Sequence, residues 1–305
     1  MTSRRRFLTI AAGAGAAAAL GPARAGAPLS RWQGVALGAR ASVAIAHPRA
    51  DRLIAAARAE IDRLEDIFSL YRAGSALSRL NAAGRLAAPP IEMVSLLSEA
   101  RRVHAETGGA FDPTVQPLWR LWAERAARGT QPGEAEIAAL PLGFDHVRVD
   151  PAEIAFARPG MALTLNGIAQ GFVADRVAAL LAREGLTDAL IETGEVVGLG
   201  HRPDGAPWQA GIAAPDGRQV ARAALTGRAL ATSAPSGTLL DAAGTLGHII
   251  DPRTRRPGGR WRLISVSAPR AWTADALSTA LCLMGEAEGA AALAAFPGAR
   301  LVHRS

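Results

Sequence analysis

Asp275 and Thr279 stand four residues apart in Trp272 to Met284, an apolar run with helical spacing, so their oxygens face the same way. A carboxylate, a hydroxyl and a carbonyl from a nearby glycine turn suit a hard ion such as magnesium, its shell completed by substrate phosphates. An aspartate near a helix start is also a common cap, so the pair alone does not decide. In His248-Ile249-Ile250-Asp251-Pro252-Arg253-Thr254, a histidine heads a short strand that enters a proline turn. It is a general base, a phosphate contact or a satisfied structural group. Leu163 to Arg176, LTLNGIAQGFVADR, runs a β-rich tripeptide through Asn166-Gly167 into a helix carrying Gly171. Such a turn lets backbone N–H groups converge on an anion at a helix N-terminus. The plainer alternative is a β-α turn in which glycine supplies an unusual backbone angle. Asp112, beside Gly108-Gly109 and Phe111, is either a helix cap or a ligand contact, and Tyr71, the single tyrosine, is core or a stacking ring. Ser233 and Ser236 lack a G-x-S-x-G context, which argues against a hydrolase nucleophile. The six histidines show no HxxxH or HxH spacing and there is one cysteine, which argues against zinc.

The elements that must position these groups alternate between helical and strand patterns. Gly34 to Ala46 alternates like a half-buried strand. Arg49 to Phe68 and Pro90 to Glu106 carry apolar residues on one helical face, with a turn and a short helix over Gly74 to Asn81 between them. Short strands are expected at Val147–Val149, Glu153–Ala157 and Ala162–Leu165, feeding a long helix to Arg183. More strands follow at 189–192, 196–199, 208–213, 220–225, 229–232, 248–251 and 262–268. Then come the helix over Trp272 to Met284, capped by Thr273, a last helix over 286–295 and a last strand at 300–303. Helices and strands mix without strict βαβ alternation, so the expected class is α+β.

Ser3-Arg4-Arg5-Arg6-Phe7-Leu8, an apolar run from Thr9 to Leu20 and Ala23-Arg24-Ala25 form a charged, then apolar, then small-residue leader. The arginine pair before Phe-Leu fits a twin-arginine export signal over residues 1–25, hence a periplasmic protein; a general secretory signal or an uncleaved anchor are the alternatives. Residues 26–305 would then form the working domain. Removing four leader arginines lowers the formal charge from +7 to +3, and there is no lysine. With no basic stripe interleaved with aromatics, nothing points to nucleic acid. The lone Cys282 excludes an intramolecular disulfide framework. At 49% hydrophobic and 20% charged residues, the chain has a core to bury and is not of disordered composition.

Read together, SxLSRLN at Ser75 to Asn81, GGAFDPTV at Gly108 to Val115, NGIAQGFVADR at Asn166 to Arg176, ATS at Ala231 to Ser233, HIIDPRT at His248 to Thr254 and ADALSTAL at Ala274 to Leu281 resemble the ApbE family of exported FAD:protein FMN transferases. The resemblance implies a single two-lobed α+β domain with FAD in the cleft between lobes and magnesium on the flavin pyrophosphate. It implies that FAD is split, AMP is released, and FMN is joined through its phosphate to a threonine of a partner protein. Carried over by position, Asp275, Thr279 and the Gly167 carbonyl resemble the metal ligands. Ala110, Phe111, Asp112, Tyr71 and Ile249 resemble flavin or adenine contacts, and His248 is the candidate to deprotonate the incoming threonine. Thr164, Asn166 and Gln170 depart from the usual D-x-G-G-I-A-K-G, and Leu37 begins Leu37-Gly38-Ala39 where Met-Gly-Thr is usual. The LNGIAQG form is similar to a NosX-like subgroup, which implies as acceptor the flavin-bearing membrane protein of nitrous-oxide respiration. Loss of two charged contacts keeps open an FAD-binding or delivery protein, and water as nucleophile would make an FAD pyrophosphatase.

Overall fold

The computed structural model describes residues 28–305, so the expected leader and cleavage site lie outside the described residues. The chain opens with β1 (Leu29–Ala36) and β2 (Ala39–Ala46), paired antiparallel across Leu37-Gly38. The single strand expected over Gly34 to Ala46 is thus a hairpin, because Leu37 (φ 48) and Gly38 (φ 83) both adopt the left-handed conformation that two-residue hairpin turns require. Leucine rarely does so, and its amide is held by the Glu65 carboxylate at 2.7 Å. Next come α1 (Ala50–Phe68), α2 (Ala76–Ala83), β3 (Arg85–Ala87) and α3 (Ile91–Glu106). In α1, Leu53, Ala57, Ile61, Leu64 and Phe68 repeat at helical spacing and are buried. Ser75 caps α2 by accepting from the Ser78 amide, and Gly84 (φ 72) ends it in a left-handed cap.

A short 3₁₀ turn at Pro113–Val115 leads into α4 (Gln116–Ala127) and α5 (Glu134–Ala139), followed by β4 (Val147–Val149) and β5 (Glu153–Phe156). Ala162–Leu165, expected as a strand, is extended but joins no sheet. Its backbone pairs with a side chain instead: Asn81 Nδ2 donates to the Leu163 carbonyl at 2.8 Å and Asn81 Oδ1 accepts from the Leu163 amide at 2.7 Å. The Thr164 amide donates to Pro113 at 2.9 Å.

From α6 (Ala169–Arg183) the chain makes β6 (Ala189–Thr193), β7 (Val196–Leu199), β8 (Trp208–Ala213), β9 (Gln219–Leu225) and β10 (Arg228–Ser233). The pair β11 (Ile250–Asp251) and β12 (Arg256–Pro257) is shorter than the strand expected over His248 to Asp251, since the turn at Pro252 closes it at once. Then follow β13 (Ile264–Ala268), α7 (Ala271–Leu281), α8 (Glu286–Ala294) and β14 (Arg300–Arg304).

Seven strands form one antiparallel sheet in the order β1-β2-β6-β7-β10-β13-β14. Its strands alternate between two buried faces. Val43, Ile191, Val197, Ala231 and Val266 face the core under α1, α3, α6 and α7, whereas Ala44, Leu190, Val196 and Leu230 pack on the β8–β9 hairpin with Trp208 and Leu225. Covered on both sides, central strands read as nearly unbroken apolar runs. The class is α+β in one domain, as expected. No helix among the described residues is long and apolar enough to cross a membrane.

The N-terminal turns of α6 and α7 are joined reciprocally. Asp275 on α7 accepts the Gly171 amide of α6 at 3.0 Å, and Asp175 on α6 accepts the Ala271 and Trp272 amides of α7 at 3.0 and 3.2 Å. Each helix supplies the carboxylate that satisfies first-turn donors of the other. Asp175 therefore replaces Thr273 as the cap of α7; Thr273 is buried and makes no cap bond. The approach needs glycine, since a Cβ at Gly171 would lie 2.4 Å from the Ala271 carbonyl oxygen. We expect Gly171→Ala to lose about 1–3 kcal/mol or more of unfolding free energy, measured by chemical denaturation, because backbone must move to admit the methyl. An unchanged midpoint would show that the contact is slack.

Candidate functional site

The α6–α7 junction presents three groups toward one another. Asp275 is 2% exposed, with Oδ2 committed to Gly171. Thr279 lies one turn further along the same face, and Gly167 lies beside it, since a Cβ on Gly167 would meet Thr279 Oγ1 at 3.1 Å and the Phe111 ring at 3.5 Å. Burial pushes the Asp275 carboxyl well above the usual carboxylate range, against the pull of the Gly171 amide.

Two residues that sequence reasoning did not assign decide how Thr279 presents itself. Ser278 Oγ donates to the Asp275 carbonyl at 3.0 Å, which uses its one proton. The 2.7 Å contact between Ser233 and Ser278 must then have Ser233 as donor, and the 3.3 Å contact between Ser233 and Thr279 must have Thr279 as donor. Protons run from Thr279 through Ser233 to Ser278, leaving the Thr279 lone pairs for an outside ligand. The only sequence signal for this was the small-residue stretch 231–237 beside a helix rich in hydroxyls.

These donors fit magnesium: a carboxylate anchored through one oxygen, a hydroxyl whose lone pairs are uncommitted and a glycine backbone alongside are all hard oxygen groups. No group of three or more His, Cys, Asp or Glu suited to a metal occurs among the described residues, so ligands from substrate would have to complete the shell. Another buried acid, Glu195, stands near Asp275. Burial and the charges of Asp275 and Glu192 raise its carboxyl, opposed by the Thr232 amide.

The other expected contacts gather at two edges of this center. At one, the Tyr71 ring lies over the Leu37-Gly38 turn, 3.3 Å from where a Gly38 Cβ would be, and its hydroxyl is within hydrogen-bonding reach of Asn166. Tyr71 is 56% exposed, so a ring face is open to solvent. Glu65 braces this edge, taking the Leu37 amide on one oxygen and Arg72 on the other at 2.5 Å. Thr164 Oγ1 accepts the Asn166 amide at 3.3 Å. At the other edge, the His248 amide and Nδ1 both reach the Pro235 and Thr238 carbonyls, with Nδ1 at 3.2 Å from each. Carbonyls only accept, so Nδ1 carries the proton and Nε2 holds the lone pair. Burial lowers the His248 pKa, and the two carbonyls oppose that shift. The 233–235 segment thus links His248 to Thr279.

Five of the expected contact residues lie deeper. Asp112 is buried with Oδ1 accepting from the Thr114 amide and hydroxyl at 2.8 and 2.7 Å, a capping arrangement, and with Oδ2 at 3.8 Å from His104 Nδ1. Ala110, Phe111 and Ile249 are buried, Phe111 against Gly167. The Gln170 side chain is packed against the Gly194 turn, and its backbone carbonyl accepts from the Thr193 hydroxyl at 3.0 Å. Gly171 spends its amide on Asp275, so the first turn of α6 offers that donor to the protein and not to a phosphate.

A sequence profile of the ApbE family matches residues 37–302. The chain is 31% identical over 260 residues to the FAD:protein FMN transferase of Salmonella typhimurium, covering 80% of this chain and 74% of that protein. It is 34% identical over 249 residues to that of Vibrio cholerae, covering 76% and 74%. Among solved structures, it superposes on Pseudomonas stutzeri flavinyl transferase ApbE with a TM-score of 0.76 at 28% identity, covering 88% of this chain and 87% of that one. The ApbE protein of Thermotoga maritima gives a TM-score of 0.80 at 26% identity, covering 90% and 93%.

Removing the central hydroxyl tests the proton-ordered chain. Ser233→Ala is expected to cost about 1–3 kcal/mol of stability by chemical denaturation and to weaken magnesium binding several-fold by calorimetry. Unchanged magnesium binding would show that Thr279 is oriented without it.

Proposed function

Since the chain belongs to the ApbE family, we infer that it is an FAD:protein FMN transferase that takes FMN from FAD, releases AMP and esterifies a threonine of an acceptor protein. The observation that carries this reading is the Asp275, Thr279 and Gly167 constellation at the α6–α7 junction, where Gly167 lies against the Thr279 hydroxyl and Asp275 is anchored on Gly171. Magnesium bound there would neutralise charge developing on the FAD pyrophosphate. Asp275 holds its carboxylate in place through Gly171, and Thr279 offers lone pairs because its proton points to Ser233. His248, with Nδ1–H tied to two carbonyls, offers Nε2 to take the threonine proton as its oxygen bonds to the FMN phosphorus and the bond to AMP breaks. Tyr71, over the Leu37 turn, supplies an open ring face for a planar heterocycle.

We further propose a periplasmic enzyme exported through the Arg4-Arg5-Arg6 leader. The proposed acceptor is the membrane-anchored electron-transfer flavoprotein of nitrous-oxide respiration, on the strength of the Thr164, Asn166 and Gln170 variant of the motif. Co-expression with that acceptor should yield a fluorescent flavin band in a denaturing gel; an acceptor threonine left unmodified overturns the assignment.

Incubating the protein with FAD, magnesium and acceptor should add the mass of one FMN to the acceptor, and Asp275→Ala should abolish the gain. Intact bound FAD would instead mark a flavin-delivery protein, and free FMN with AMP a pyrophosphatase. His248→Ala should slow transfer by about 10²–10⁴-fold while FAD still binds. Because burial lowers the His248 pKa from 6.5, the base stays neutral at pH 7. The acid limb of kcat should therefore fall below about pH 6.5, and a limb at higher pH would assign the proton to another group.

A further inference from the structure

Glu195 occupies the tight turn between β6 and β7, where the Thr193 amide donates to its carbonyl and Gly194 takes φ 96. The turn drives this side chain inward, to 3% exposure, among the elements that hold Asp275. One carboxylate oxygen is within reach of the Thr232 amide, and the other, Oε2, is buried with no hydrogen-bond partner among the described residues. Neither Glu195 nor Asp275 belongs to an ion pair among the described residues. The side chain pressed against the Glu195 turn is Gln170, which is neutral. A buried carboxylate oxygen without a donor costs several kcal/mol, and a second acid beside it adds repulsion unless a positive charge compensates both.

Resting on the reading that a divalent cation binds at Asp275, we propose that Glu195 is a positioning residue of that cation site. Its negative charge, delivered by the β6–β7 turn, balances the second positive charge of the ion and so sets the affinity, acting across Asp275 and not as a ligand. Asp275 supplies one charge, Glu195 the other, and the hydroxyl and carbonyl donors supply none. This explains why the protein buries an acid with one unpartnered oxygen in the tip of a hairpin where a neutral turn residue would satisfy the backbone equally well.

The test is magnesium chloride titrated into the FAD-free protein, read by calorimetry and by the shift of Tm relative to EDTA, for wild type, Glu195→Gln, Glu195→Asp and Asp275→Asn. Glu195→Gln should weaken magnesium about 10–100-fold and shrink the magnesium-induced Tm shift. Its Tm in EDTA should be unchanged or higher, since without a cation burial disfavors the charged form of this acid and the amide replaces it at no such cost. Glu195→Asp, which keeps the charge, should retain affinity within a few-fold, and Asp275→Asn should lose binding. Equal magnesium affinity in wild type and Glu195→Gln overturns the proposal alone. A drop in Tm for Glu195→Gln that is the same in EDTA and magnesium also overturns it, showing a purely structural acid. Failure of wild type itself to bind magnesium overturns the cation reading and this proposal with it.

Discussion

The structure depends on a buried carboxylate that no basic side chain among the described residues pairs with. Asp275 sits inside the domain with one oxygen on the Gly171 amide, so its placement is a compromise between desolvation, which opposes the charge, and helix donors, which favor it. The protein tolerates this because α6 and α7 exchange caps. Asp175 returns the favor to the Ala271 and Trp272 amides, and the two helix starts are locked at a distance that only glycine at 171 permits. A residue with an unfavorable environment is thereby fixed in position before any ligand arrives, which is the form of pre-organisation that electrostatic catalysis needs.

Around that point the fold divides its labor. The seven-stranded sheet brings β6, β7, β10 and β13 beside one another, so that the end of β10 at Ser233 meets α7 at Ser278 and Thr279, and the Glu195 turn meets α6 at Gln170. The helix supplies the periodic pair Asp275 and Thr279, and the sheet ends supply the groups that orient it. The Leu37-Gly38 turn and Tyr71 form a separate edge held by Glu65 and Arg72, and Asn166-Gly167 connects it to the center. Rigid secondary structure sits beneath and turns sit at the rim, an arrangement that suits a site whose chemistry is mostly positioning.

Gln170 stands where the family resemblance implies a lysine, and the structure gives that difference a setting. The side chain lies against Gly194 beside the buried Glu195, where a lysine would bring positive charge next to two acids. With glutamine there, the local balance of charge is left to whatever binds at Asp275. Thr164 and Asn166 show a milder departure, as they hydrogen-bond within their own turn and toward Tyr71.

What the sequence determined by itself was local or periodic. The i, i+4 spacing that aligns Asp275 with Thr279 and the apolar stripes of α1 and α3 follow from 3.6-residue geometry and need no neighbor to be legible. The order of motifs likewise identified the family. The hairpin at Leu37 was not legible, because a leucine in the left-handed region is stabilised by Glu65, 28 residues away, and not by its own preference. The same holds for Leu163, extended against the Asn81 side chain and not against a strand, and for the cap of α7, which comes from Asp175. Ser233, Ser278 and Glu195 became part of the site only through contacts spanning many tens of residues. Such contacts are set by how helices pack on a sheet, and no single-segment pattern encodes that packing. Tertiary structure alone decided which hydroxyl has its lone pairs uncommitted and which acid keeps one buried oxygen without a donor among the described residues.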